Sequence, residues 1–68
     1  MTTIDIENIV NQVNLELKRR NSTLLITVNF DDSDIILECR GNYLYFSLDR
    51  LDWLTRKHLL SCLKHNLL

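Results

Sequence analysis

The strongest constraint in this sequence is the stretch from Thr23 to Leu48, where three β-rich runs are separated by two turn signals, Asp31-Asp32-Ser33-Asp34 and Gly41-Asn42. Gly-Asn between two such runs marks a two-residue hairpin loop, with the glycine supplying the positive φ of a type II′ turn. That loop closes Arg40 against Tyr43. Pairing then runs through Cys39–Leu44, Glu38–Tyr45, Leu37–Phe46, Ile36–Ser47 and Ile35–Leu48. Directly opposed residues share a face of a sheet. One face therefore collects Ile35, Leu37, Cys39, Leu44, Phe46 and Leu48, all apolar, and the other collects Ile36, Glu38, Arg40, Tyr43, Tyr45 and Ser47. A slip of one residue would mix the two sets, so the pattern selects the pairing.

The other turn gives the same partition. A four-residue loop over Asp31, Asp32, Ser33 and Asp34 sets Phe30 against Ile35, Val28 against Leu37 and Ile26 against Cys39. Leu24, Ile26, Val28 and Phe30 then extend the apolar face, and Leu25, Thr27 and Asn29 extend the polar one. An antiparallel meander in strand order 1-2-3 follows.

The flanks read as helices. Met1 to Thr3 are expected to fray. Asp5 is the expected N-cap, with Ile4 and Ile9 at the two hydrophobic-staple positions. Ile6, Ile9, Val10, Val13 and Leu17 then make one apolar stripe, Asn14 falls among the polar residues opposite, and Leu15 points away from the stripe. Lys18, Arg19 and Arg20 complement the dipole of the last turn, and Asn21 closes the helix in a left-handed conformation. In the second flank Asp49 is the expected N-cap, with Leu48 and Trp53 as its staple and Asp52 paired with Arg56 at i+4. Leu51, Trp53, Leu59, Leu60, Cys62, Leu63 and Leu67 spread over half the circumference of a continuous helix, with Leu54 off that face. Two readings fit. The helix breaks near Thr55, which caps a separate segment from Arg56 onward, or it stays continuous and offers surplus apolar surface to another chain. The fold class expected is α+β: two layers in the order α-β-β-β-α, a three-stranded antiparallel meander with both helices on one face, and one domain over 1–68.

Composition bounds the function. At 68 residues the chain is near the size where one hydrophobic core barely suffices. Its 46% hydrophobic and 25% charged residues place it with folded chains rather than disordered ones. A net charge of −1 excludes both the strongly basic balance of sequence-independent nucleic-acid binders and the strongly acidic balance of a nucleic-acid mimic. With no leader, no long apolar run and two cysteines, the expectation is a cytoplasmic protein with reduced thiols and no membrane contact.

Residues that carry chemistry are few. Asp31, Asp32 and Asp34 lack the length, central glycine and terminal glutamate of a calcium loop, so they read as a turn or as an acidic knob for a basic partner. His58, Cys62 and His65 share one face at i, i+4 and i+7, with Cys39 a conceivable fourth ligand. No paired Cys-x-x-Cys supports a zinc site, so no metal or cofactor is expected. A Cys/His nucleophile pair would also need a pocket and an orienting third group, so no enzyme is expected. Tyr43, Tyr45, Arg40, Glu38 and Ile36 on the open face are the residue types that dominate protein interfaces, and the third strand carries no charge to blunt its edge. Lys18, Arg19, Arg20, Arg56, Lys57 and Lys64 supply the alternative, a nucleic-acid contact.

The order helix, three-stranded meander, helix is similar to the layout of double-stranded-RNA-binding domains. That resemblance implies RNA binding through a lysine-rich start to the second helix, where this chain has Asp49-Arg50-Leu51-Asp52. The layout also resembles several small phage-encoded inhibitors, including some anti-CRISPR proteins, and this implies blocking a host machine by surface contact. The expected function is a small non-catalytic protein-binding module, an inhibitor or adaptor and a candidate homodimer, with nucleic-acid binding as the alternative.

Overall fold

A computed structural model describes residues 1–68. The elements follow as α1 (Thr3–Arg19), β1 (Thr27–Phe30), β2 (Asp34–Cys39), β3 (Asn42–Ser47), a 3₁₀ segment (Leu48–Trp53) and α2 (Arg56–Asn66). The strands form an antiparallel sheet in the order β1-β2-β3, the expected meander.

Helix α1 starts earlier than Asp5 and Met1 does not fray. Thr2 is the N-cap: its hydroxyl accepts from the Asp5 N–H at 3.1 Å while the Thr2 N–H donates to the Asp5 carboxylate at 2.8 Å. This reciprocal capping box satisfies two free amides at once, which a lone aspartate cap at residue 5 would not do. The backbone nitrogen of Met1 donates to the Leu51 carbonyl at 3.0 Å, fastening the start of the chain to the 3₁₀ segment. At the other end Asn21 has φ of 58°, and the Ser22 and Asn21 amides donate to the Leu17 and Lys18 carbonyls. That is a Schellman closure with Asn21 in the left-handed position, as the sequence predicts.

The β1–β2 register agrees with expectation, with Phe30 opposite Ile35 and Val28 opposite Leu37. The β2–β3 register does not. Ile35 faces Phe46, Leu37 faces Leu44 and Glu38 faces Tyr43, a shift of two residues from the predicted pairing. The loop is Arg40-Gly41, with φ of 53° and 80°, not Gly41-Asn42. Positive φ at both central positions makes a type I′ turn, whose twist matches that of the strands. The Glu38 carboxylate accepts from the Gly41 N–H at 2.8 Å and holds it. Because side chains alternate with period two, a shift of two leaves every strand residue on its predicted face. Arg40 moves from the open face to the turn, Leu48 from the third strand to the 3₁₀ segment, and Asp34 from the loop into β2, while Leu24, Leu25 and Ile26 lie before β1.

The second flank breaks at Thr55. Ser47, not Asp49, precedes the 3₁₀ segment, and it makes no side-chain cap. Thr55 then caps α2 by accepting from the His58 N–H at 3.1 Å. A 3₁₀ helix repeats every three residues, so Leu48, Leu51 and Leu54 align toward the core. Leu51 and Leu54 are buried, while Trp53, predicted on the apolar face, is 85% exposed. The Asp52–Arg56 ion pair does not form; Arg56 donates instead to Gln12 at 3.3 Å.

Ile6, Ile9 and Val10 of α1 pack with Ile35, Leu37 and Cys39 of β2 and with Leu59, Leu63 and Leu67 at α2, so both helical layers cover one sheet face. Only 12 of the 68 residues are buried. In so small a core one truncation such as Leu37→Ala, costing about 2–5 kcal/mol, removes a large part of the usual total stability.

Candidate functional site

The uncovered face of the sheet presents two cross-strand rows. Thr27, Glu38 and Tyr43 form one, and Asn29, Ile36 and Tyr45 form the other. Tyr43 and Tyr45 sit two residues apart on the same strand, so they project from the same face. Their rings stack with centroids 6.3 Å apart and planes 23° from parallel. They remain 58% and 57% exposed.

This face carries two carboxylates, Glu38 and, opposite Ser47 at the start of β2, Asp34. Glu38 accepts from the Thr27 hydroxyl at 3.2 Å and from the Gly41 N–H at 2.8 Å through its two oxygens. What remains open is Ile36 with the two tyrosines, an aromatic and apolar centre flanked by the polar Thr27 and Asn29. Strand β3 is a sheet edge, and its sequence Asn42-Tyr43-Leu44-Tyr45-Phe46-Ser47 contains no charged side chain. Leu25, just before β1, is also exposed.

The acidic turn is organised inward. The Asp31 carboxylate accepts from the Ser33 and Asp34 amides at 2.8 and 2.7 Å. Those two amides hold its carboxyl below the ordinary aspartate value of 3.8. The Ser33 carbonyl in turn accepts from the Leu48 N–H at 2.9 Å, tying the turn to the exit of β3. Asp31 therefore serves its own loop, Asp34 lies half-buried at the start of β2, and Asp32 is left fully outward.

The histidine–cysteine face is only partly assembled. The Cys62 sulfur lies 3.5 Å from His58 Nε2 on α2, Cys39 is buried in the core, and no three His, Cys, Asp or Glu side chains converge on one point.

The six basic residues divide. Arg19, Arg20 and Arg56 line a groove of about 550 Å³ between α1 and α2, and Lys64 lines its continuation beside Leu63. Lys18 lies on the other flank of α1 near Ser22 and Leu24, and Lys57 is exposed on α2 away from these depressions. Arg19 is bridged to Glu16 at 2.8 Å, the one salt bridge in the structure.

Two surface features escape the sequence reading. Trp53 is one, and its signal was the triplet spacing of Leu48, Leu51 and Leu54. The groove is the other. It exists because α1 and α2 each rest on the sheet with half-buried Val13, Leu17 and Leu60 left between them. No helix is long and apolar enough to cross a membrane. No protein-family model matches the chain, and neither a curated protein nor a solved structure matches it.

Proposed function

We propose that this chain is a non-catalytic protein-binding module, an inhibitor or adaptor that acts by surface contact through the uncovered face of its sheet. The observation that carries the reading is the stacked Tyr43–Tyr45 pair, each ring more than half exposed, beside the half-buried Ile36. Aromatic side chains give large contact area at low entropy cost, and they concentrate at the centres of interfaces. Here the two rings brace each other, so little freedom is left to lose on binding. The adjoining β3 edge offers unpaired backbone groups in a run without charge, which suits strand addition by a partner, or by a second copy of this chain as a homodimer.

The His58–Cys62 contact, 3.5 Å from Sγ to Nε2, lies on α2 away from this face. A partner that works by contact needs neither cofactor nor cavity.

The test compares capture of partners from a lysate of the source organism by three tagged chains: wild type, Tyr43→Ser with Tyr45→Ser, and Arg20→Glu with Arg56→Glu. The proposal expects a protein retained by wild type and lost by the tyrosine pair. Retention of nucleic acid in a salt-sensitive way that the arginine pair abolishes would overturn it.

A further inference from the structure

We infer that the groove between α1 and α2 receives an acidic amphipathic helix of a partner protein. The inference deepens the protein-binding reading but rests on different residues, so either can fail alone.

The floor of the groove is apolar. Val13 and Leu17 come from α1, Leu60 from α2 and Leu68 from just beyond it, and these four line both the main groove and its continuation. Val13 and Leu60 are half-buried against the core, Leu17 is half-buried beside them, and Leu68 is 41% exposed. Apolar side chains inserted there would complete the packing of two helices that already bury their other sides.

The rim carries the charge argument. Arg19, Arg20, Arg56 and Lys64 surround the floor, and Glu16, the single acidic side chain among the lining residues, is already bonded to Arg19. Arg20, Arg56 and Lys64 have no carboxylate partner. The chain as a whole has a net charge of −1, so this cationic rim is a local segregation and not the background. Complementarity asks for carboxylates flanking an apolar stripe. An amphipathic helix with leucine-like anchors and acidic borders has that pattern, and a helix laid into a hydrophobic groove is a recurring mode of recognition.

Two other anionic partners fit less well. A nucleic acid would lay phosphates over leucines, and the groove lining has no aromatic ring on which a base stacks. An anionic membrane is bound by apolar side chains that project from a helix face, whereas Val13, Leu17 and Leu60 are half-buried between two helices.

The probe is a fluorescent, leucine-faced, glutamate-flanked peptide of about 20 residues, long enough to form a helix. Controls are the same peptide with lysines for glutamates, a single-stranded DNA oligomer, and vesicles of mixed neutral and anionic phospholipid. The expected result is binding of the acidic peptide with amide shift changes at Val13, Leu17, Leu60 and Leu68. Arg20→Glu with Arg56→Glu should weaken it by about tenfold or more, while Tyr43→Ser with Tyr45→Ser leaves it unchanged. Both arginines are exposed, so the charge reversal keeps the fold, which thermal unfolding verifies. Equal binding of the lysine peptide, preference for the DNA or the vesicles, or shift changes confined to another surface would overturn the inference.

Discussion

The side-chain amide of Asn14, in the middle of α1, holds both backbone groups of Ile26: Asn14 Nδ2 donates to the Ile26 carbonyl and the Ile26 N–H donates to Asn14 Oδ1, each at 2.9 Å. The amide thus acts as a strand partner for the residue just before β1, where the sheet ladder has not yet begun. Ile26 is buried, and a buried backbone pair needs such partners. Asn14→Leu should therefore destabilise the protein by about 1–3 kcal/mol in urea unfolding. Amide exchange at Ile26 should accelerate more than at its β1 neighbours. Unchanged protection of Ile26 would contradict this role.

The Arg40-Gly41 turn makes opposite predictions for its two residues. Arg40 occupies a left-handed conformation that asparagine adopts more easily, so Arg40→Asn should raise stability by about 0.5–1 kcal/mol. Gly41 has open space around a hypothetical Cβ, so Gly41→Ala suffers only from its φ of 80° and should lose about 1 kcal/mol. Denaturant midpoints measure both. A turn centred on Gly41-Asn42 would predict no gain from Arg40→Asn.

Legibility in the sequence followed the physics of parity. Alternation fixes a face for each strand residue, and that assignment survived a two-residue register error because the error was even. The turn type was harder to read, since Arg at a left-handed position is unfavourable by itself and is accepted here with the Glu38–Gly41 hydrogen bond beside it. The α1 cap is hidden for a similar reason: Thr2 and Asp5 cap jointly, and single-residue preference points only to the aspartate. The break at Thr55 was one of two open readings, decided by the three-residue spacing of Leu48, Leu51 and Leu54. Asn14, polar and on the expected polar side, gave no local hint of a partner twelve residues away in the chain. Alternation alone puts Tyr43, Tyr45, Glu38 and Ile36 on the open face, whereas the groove arises only from how α1 and α2 pack on the sheet.

Acid should weaken the fold through two aspartates. Asp5 and Asp31 both have carboxyls held below the ordinary value of 3.8, Asp5 by hydrogen bonding to Thr2 and Asp31 by the amides of Ser33 and Asp34. A depressed folded-state value means the unfolded chain binds protons first as pH falls. The stability these groups contribute is therefore present above 3.8 and is lost as pH drops through their lower folded values. Denaturant midpoints between about pH 6 and about pH 2 should fall less steeply for Asp5→Asn with Asp31→Asn than for wild type. Parallel curves would show that neither carboxylate is coupled to folding.

Trp53 and Thr55 flank the buried Leu54 and should respond in opposite ways. Trp53 is 85% exposed, so Trp53→Ser should change stability by less than about 0.5 kcal/mol, and wild-type fluorescence should be water-like and readily quenched by acrylamide. Thr55→Ala removes the α2 cap and should cost about 1 kcal/mol. A blue-shifted, protected tryptophan would show that Trp53 packs against the core, as a continuous second helix would require.

The open sheet face is tested by hydrogen exchange on the chain bound to a captured partner, compared with the free chain. Binding through Tyr43 and Tyr45 predicts slowed exchange along β3 and at Ile36, with the acidic turn and the outer side of α1 unchanged. Protection confined to the α1–α2 groove or to Lys18, Arg19 and Arg20, with β3 exchanging as in the free chain, would contradict it.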